Sequence, residues 1–383
     1  MKFKEVRLQN FRNHEATQIQ CALGRNVFLG NNGEGKTNIL EAISYLCLTK
    51  SFYASSDATA VQIGQSGFTV AAQAVSDIDV SYQIDVSYSK EAKEKRIAVN
   101  KGVVEDKSSL IGMFPVVVLS PENANVTSGT PADRRRFLDV VISQSNKSYL
   151  RNLIEYRRIL RQRNRVLFEA KIEQRTPREP LEPWNENLIK QGTEISQRRA
   201  KFIEEFLPYL VEAFVEIAGK GEEPSIGYDS SFKTNSSLTI EQAQILYREG
   251  LELQRLEEQK LGTTLVGPHK DELVFEINGL DLKTYASQGQ HKTFLVALKV
   301  AEYFYLRERC QETPVLLLDD VFSELDGPRS EKLLSMTANL GQTFITATDE
   351  QRFSAETKSR SEFAQYYVRQ GKVTFAEPAA FTS

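Results

Sequence analysis

Gly30-Asn31-Asn32-Gly33-Glu34-Gly35-Lys36-Thr37 fits the phosphate-binding pattern G-x-x-x-x-G-K-[ST], and it constrains the fold more than any other segment of the chain. The pattern works only between a strand and a helix. Asn26-Val27-Phe28-Leu29 before it has the apolar character of a buried strand, and Asn38 to Ile43 after it is expected to begin an amphipathic helix. The glycines let the loop curl so that its N–H groups face a phosphate, and the helix N-terminus adds partial positive charge. Lys36 is placed to reach the β- and γ-phosphates, and Thr37 to set its hydroxyl on Mg²⁺. A chance match in a chain of this length is expected on the order of one time in a hundred.

At 383 residues, two or three domains are expected. A hydrophobic content of 40% provides for a core, while 26% charged residues and a mean hydropathy of −0.38 describe a soluble chain. The net charge is −3, so any nucleic-acid surface has to be a local patch. The start, Met1 to Glu5, does not read as a signal peptide, and no apolar run approaches membrane-spanning length, so no membrane association is expected. Cys21, Cys47 and Cys310 form no pair motif, which points to a reducing cytoplasm, and the scattered His14, His269 and His291 do not make a zinc site.

Along the chain, Lys2–Leu8, Phe68–Ala74, Val80–Tyr88, Arg96–Val104 and Met113–Leu119 read as strands. From Asp133 to about Gly219 the pattern is helical. Leu153, Leu160 and Leu167 fall seven apart, with Tyr149 and Tyr156 between them; after Pro177, Pro180 and Pro183 the spacing resumes at Leu188, Ile195, Phe202 and Tyr209. A helical hairpin with a coiled-coil seam is predicted, each limb about 35–40 Å long. Asn278-Gly279 marks a β-hairpin, a helix is expected from about Gln288 to Arg307, and no order is expected after about Phe375.

Val315 to Leu318 is an apolar strand that ends in Asp319 and Asp320. In phosphate-loop proteins such strands hold Mg²⁺, which makes Asp319 the metal-side carboxylate and Asp320 the group that orients or activates water. Upstream, Ser287-Gln288-Gly289-Gln290 opens a helix whose N-terminus suits a γ-phosphate, and Ser323-Glu324-Leu325-Asp326 adds a second acidic element. In this order the four elements resemble an ABC-type ATPase head. The fold class expected is therefore α/β: a mixed sheet with the phosphate loop, an antiparallel β lobe and an inserted helical-hairpin arm. The head is assigned to 1–132 and 221–383 and the arm to 133–220.

Among such heads, SMC-like and nuclease-associated ones are the alternative reading, but they carry far longer coiled coils or a Cys-x-x-Cys hook. Arg7 to His14, Gly129 to Asp139, Tyr156 to Asn164, Gly267 to Leu273 and Ser287 to Gln290 together resemble the bacterial RecF family, over about residues 3–350. The resemblance implies an ATP-dependent DNA-binding protein of recombinational repair and replication-fork maintenance. It implies ATP and Mg²⁺ as ligands, single-stranded, gapped and duplex DNA as targets, RecO and RecR as partners, and a homodimer in which Ser287 to Gln290 acts on the partner's ATP. Weak, DNA-stimulated ATP hydrolysis is implied, with ATP as a switch; Asp320 in place of a longer Glu and no His after Thr346 fit slow chemistry. Tyr53 stands where a basic residue is expected in the family.

Arg12 and Asn13, beside the first strand, are expected to line the nucleotide pocket. DNA is expected on the arm: Arg151, Arg158 and Arg165 are seven apart, among Arg157, Arg161 and Arg163, with Arg134, Arg135 and Arg136 at the base and Arg198, Arg199 and Lys201 on the return. His269 and Asp271 receive no chemistry.

Overall fold

The computed structural model describes residues 1–52, 56–174, 180–348 and 362–376, apart from the side chain of Glu324. Tyr53, Pro177, Asp349 and nearly all of the tail after Phe375 lie outside the described residues. The chain forms two compact units, residues 1–124 with 295–383, and residues 125–294.

The first unit begins with β1 (Lys2–Phe11), β2 (His14–Gln20), β3 (Arg25–Leu29), α1 (Lys36–Leu48), β4 (Gly67–Val75), β5 (Ser81–Ser89), β6 (Glu94–Val99), β7 (Gly102–Val103) and β8 (Val116–Leu119). Then follow α2 (Ala124–Ser128), α3 (Pro131–Ser145), α4 (Lys147–Ile172), α5 (Glu182–Ala218), β9 (Pro224–Asp229), α6 (Ile240–Leu261), β10 (Glu272–Ile277), β11 (Leu280–Asp281), α7 (Leu282–Tyr285) and α8 (Gln288–Cys310). The boundary between the units falls inside α8. The chain ends with β12 (Val315–Asp319), α9 (Val321–Glu324), α10 (Gly327–Thr337), β13 (Thr343–Ala347), β14 (Phe363–Arg369) and β15 (Lys372–Phe375).

One sheet of the first unit, ordered β15-β14-β3-β13-β12-β8, is parallel except for the β15 edge. Its strands β3, β8, β12 and β13 are buried along their whole length, in keeping with their mostly apolar runs. The other sheet, β2-β1-β4-β5-β6-β7, is antiparallel and its β4 alternates in burial. Helix α1 shares one core with Phe3, Val6 and Leu8 of this sheet and Phe28, Leu317 and Phe344 of the parallel one. The expected amphipathic helix is thus corrected: Ile39 to Leu48 is buried all round, because sheet covers two opposite sides. Strand β2 was not anticipated, since His14-Glu15-Ala16-Thr17-Gln18-Ile19-Gln20 buries only His14, Thr17 and Ile19.

In the second unit α4 and α5 run antiparallel. Tyr149 bonds Arg199, Tyr156 packs at Gly192 and Arg163 bonds Asn185, so each step of seven along α4 is matched by seven back along α5. Leu153, Leu167, Leu188, Ile195 and Phe202 are buried as the heptads predict. At the two remaining seam positions Leu160 and Tyr209 are half-buried, and the neighbours Ile159 and Leu210 take the core. Because β9 and α6 pack on α5, residues 221–294 join the hairpin in one unit, where the sequence had assigned them to the head. The β10–β11 turn has Asn278 and Gly279 at positive φ, as a two-residue hairpin requires.

Candidate nucleotide site

The phosphate loop leaves β3 and enters α1 at the carboxyl end of the parallel strands, the edge where ligands of open α/β sheets bind. Asn31, Asn32 and Gly33 are exposed, whereas Gly35 and Lys36 are buried. Gly35 has φ 110°, and a Cβ there would lie 2.5 Å from Asn13 Oδ1, so only glycine fits. The loop is braced from outside: the Glu34 carbonyl accepts Asn13 Nδ2 at 3.0 Å and the Gly371 N–H at 2.9 Å, and His14 Nε2 meets the Gly35 carbonyl at 3.0 Å. Asn38 ties back to Asn13 Oδ1 at 2.8 Å.

Lys36 Nζ donates to the carbonyls of Gly30 at 2.7 Å and Asn31 at 2.8 Å, which holds the ammonium in the mouth of the loop. Burial lowers its pKa, and the Asp320, Asp319 and Glu34 carboxylates pull it back up. Thr37 Oγ1 donates to Asp319 Oδ1 at 2.7 Å, although 282 positions separate them. Burial raises the Asp319 carboxyl above its ordinary range, against the hydrogen bonds from Thr37 and Thr346. Asp320, half-buried, takes a left-handed backbone at φ 49° and makes no side-chain cap to α9. Lys36, Thr37, Asp319, Asp320 and Asn13 are thereby brought to one place.

Arg12, which the sequence placed at the nucleotide pocket, is held by α1 and by the Thr59 carbonyl. Its guanidinium forms a fork with Glu41 of α1, at 2.8 and 2.7 Å, and donates to the Thr59 carbonyl. Glu41 is wholly buried and also accepts from Ser51 Oγ. Asp326 of the second acidic element caps α10 by accepting the Arg329 N–H. Ser287 and Gln290 form reciprocal caps at the start of α8, in the second unit: Ser287 N–H to Gln290 Oε1 at 2.8 Å and Gln290 N–H to Ser287 Oγ at 3.2 Å. Gln290 Nε2 also holds Glu222.

The arginines of the second unit divide into two groups. Arg151, Arg157, Arg158, Arg161 and Arg165 are exposed. Arg134, Arg163 and Arg199 are buried, which corrects their assignment to an outward basic face. Arg134 pairs with Glu272, Arg163 with Glu258, and Arg199 bonds Asp139, Tyr149 and the Pro268 carbonyl. The segment Gly267 to Asp271 is the other side of this network. Asp271 accepts from Ser196, Tyr228 and the Ser231 N–H, and His269 bridges Tyr156 and the Thr264 carbonyl. Sequence reasoning missed these roles, and also missed Thr346, Asn38 and Glu41. For Thr346 and Glu41 the only signal was a polar residue in an otherwise apolar stretch.

Helix α1 held between an antiparallel sheet and a parallel one, with a phosphate loop at its start and an acid-ended strand beside it, is the architecture of an ABC-type ATPase head. Residues 2–373 match the family described as RecF/RecN/SMC N terminal domain. The DNA replication and repair protein RecF of Chloroherpeton thalassium is 41% identical over 94% of this chain and 98% of its own, and that of Salinibacter ruber 40% identical over 90% and 84%. Two solved structures of the recombination mediator protein RecF in the RecFOR pathway, one RecF-ATPrS and one RecF-ATP, superpose with TM-score 0.89 at 29% and 30% identity, covering 98% of both chains. A crystal structure of the SmcHead bound to the C-winged helix domain of ScpA shares the fold, with TM-score 0.56 at 12% identity over 100% of this chain and 98% of that one. The chain belongs to the RecF family of DNA replication and repair proteins. No helix among the described residues is long and apolar enough to cross a membrane.

Proposed function

We propose that the chain is an ATP-dependent DNA-binding protein of recombinational repair and replication-fork maintenance. In this reading it binds single-stranded, gapped and duplex DNA in the cytoplasm, dimerises on ATP, hydrolyses ATP slowly to release, and assists recombinase loading with RecO and RecR. The observation that carries the reading is the hydrogen bond that joins Thr37 of the phosphate loop to Asp319 of β12, beside Lys36. Mg²⁺ prefers one or two protein oxygens and completes its octahedron with water and phosphate oxygens. Thr37 and Asp319 supply that donor set, and the bound cation would offset the burial cost of the Asp319 charge. Lys36, the loop N–H groups and the start of α1 neutralise the phosphates, and Asp320 orients water at the γ-phosphate.

Ser287 Oγ accepts within its own capping box, which leaves its hydroxyl proton to donate to the γ-phosphate of a partner's nucleotide. Sedimentation of the wild type should show a dimer with ATP and a monomer without, and Ser287→Arg should stay monomeric in both. A wild type indifferent to ATP would reject dimerisation on nucleotide. Binding to gapped and single-stranded DNA with ATP, ADP and no nucleotide, for wild type and Lys36→Met, tests the whole reading; equal DNA affinity in every arm rejects an ATP switch. A steady-state turnover above about 10 s⁻¹, the usual enzyme median, would contradict slow hydrolysis.

For DNA, Arg151, Arg158 and Arg165 present charge at heptad spacing on α4. The pairs Arg158–Glu155 and Arg165–Glu169 are exposed and exchange readily for phosphate contacts.

A further inference from the structure

We infer that Thr346 is the positioning residue of this site, the hydroxyl that fixes the metal-side and water-side acids relative to each other. The inference rests on the ATP and Mg²⁺ reading above. Thr346 lies on β13, in direct register with Asp319 on the parallel neighbour β12, and is completely buried. Its Oγ1 donates to Asp319 Oδ1 at 2.8 Å and accepts the Asp320 N–H at 2.8 Å. Thr37 Oγ1 donates to the same Asp319 oxygen. A single chain of hydrogen bonds thus runs from the Asp320 backbone through Thr346 and Asp319 to the phosphate loop.

Two physical consequences follow. First, both hydroxyls land on Oδ1, so they hold the Asp319 carboxylate in one orientation from two sides. Thr37 and Asp319 would hold the cation, and Thr346, which is outside that donor set, fixes the Asp319 carboxylate. Second, Asp320 adopts the left-handed region at φ 49°, which Asp tolerates better than most residues and which a local hydrogen bond can fix. Acceptance of its N–H by Thr346 is such a constraint, and it aims a side chain that caps nothing. Valine would fill the same volume in this apolar strand, between Ile345 and Ala347. The hydroxyl is therefore what the two acids require, not the bulk.

The test uses the full chain as wild type, Thr346→Val and Thr346→Ser, with two readouts. One is binding of a fluorescent ATP analogue as Mg²⁺ is titrated, with an EDTA arm. The other is single-turnover hydrolysis. For Thr346→Val the half-saturating Mg²⁺ should rise about tenfold, as loss of a hydrogen bond to a charged group implies. Its hydrolysis should fall between about tenfold and a hundredfold, the cost of a misplaced reacting group. Nucleotide affinity in EDTA should stay at the wild-type value, and Thr346→Ser should restore both quantities. Thr346→Val within twofold of wild type in both readouts overturns the inference. So does a Thr346→Ser that behaves like Thr346→Val, because packing rather than the hydroxyl would then matter. A wild type that fails to bind the nucleotide at all removes the reading beneath it. A wild type that binds but does not hydrolyse leaves the Mg²⁺ titration to decide.

Discussion

Both units bury charge, but they treat it in opposite ways. In the second unit Arg163, Arg199 and Asp271 are almost fully buried and each is met on several sides by other protein groups. In the first unit Lys36 is met by two carbonyls of its own loop, Asp319 by two hydroxyls on one oxygen, and Asp320 has a left-handed backbone and a side chain that makes no cap. Buried charge matched by fixed protein partners holds structure together. Buried charge of both signs gathered at a strand edge, and held mostly by neutral groups, suits an ion or a phosphate, as the proposed function requires. The same residue types, Arg, Lys and Asp, thus mean different things according to how completely the protein itself satisfies them.

The largest effect that tests this contrast comes from Arg199→Met. It removes the buried cation beside Asp271 and leaves Asp139 with only the exposed Arg157, and chemical denaturation should show a loss of about 3–5 kcal/mol. Lys36→Met, which removes a buried charge of the other kind, should leave the denaturation midpoint near wild type while ending nucleotide binding. If the two variants lose stability equally, the contrast fails.

Next in size is the acid response of His269. Burial lowers its pKa to about 4 from an ordinary 6.5. Between those values the unfolded chain takes up a proton that the folded one refuses. The stability is complete above pH 6.5 and declines as pH falls toward 4, by about 3 kcal/mol at the limit. Unfolding measured from pH 7.5 to 4.5 should show that slope, and His269→Gln should flatten it. A wild-type profile with no slope in this window would contradict a buried neutral imidazole.

A smaller effect is expected from Asp319→Asn. The carboxyl is held above its ordinary range by burial, so the neutral amide, which still accepts from Thr37 and Thr346, should leave stability equal or raise it by up to about 1 kcal/mol. Mg²⁺-dependent nucleotide binding should be lost at the same time. A large loss of stability would make Asp319 structural rather than ligand-facing.

Smallest in stability are Arg158→Glu and Arg165→Glu together, which act on exposed pairs. The melting midpoint should not move, while DNA affinity at low salt should fall and ATP binding should persist. DNA affinity that stays at wild-type level would remove the α4 face from the proposed interface.

How much was legible depended on whether the information was local. The phosphate loop, the acid-ended strand and the cap at Ser287 lie within a few consecutive residues, and their chemistry follows from spacing alone. The antiparallel seam was legible because heptads are periodic. The basic face was misjudged at Arg134, Arg163 and Arg199, because arginine composition cannot show which partner carboxylates the fold delivers. Glu258, for example, reaches Arg163 from 95 positions away. The amphipathic reading of α1 failed for a similar reason, since a helix cannot state that sheet will cover both of its sides.

By itself, then, the sequence determined that there is a phosphate-binding strand–loop–helix, a carboxylate strand to complete it and a heptad hairpin, since each is written in contiguous or periodic residues. Only the tertiary structure decided which charges meet fixed charged partners and which are held mainly by neutral groups, and that Thr346 joins Asp319 to Asp320. Those outcomes turn on strand register and on burial by distant segments, and neither is encoded at the position it acts on.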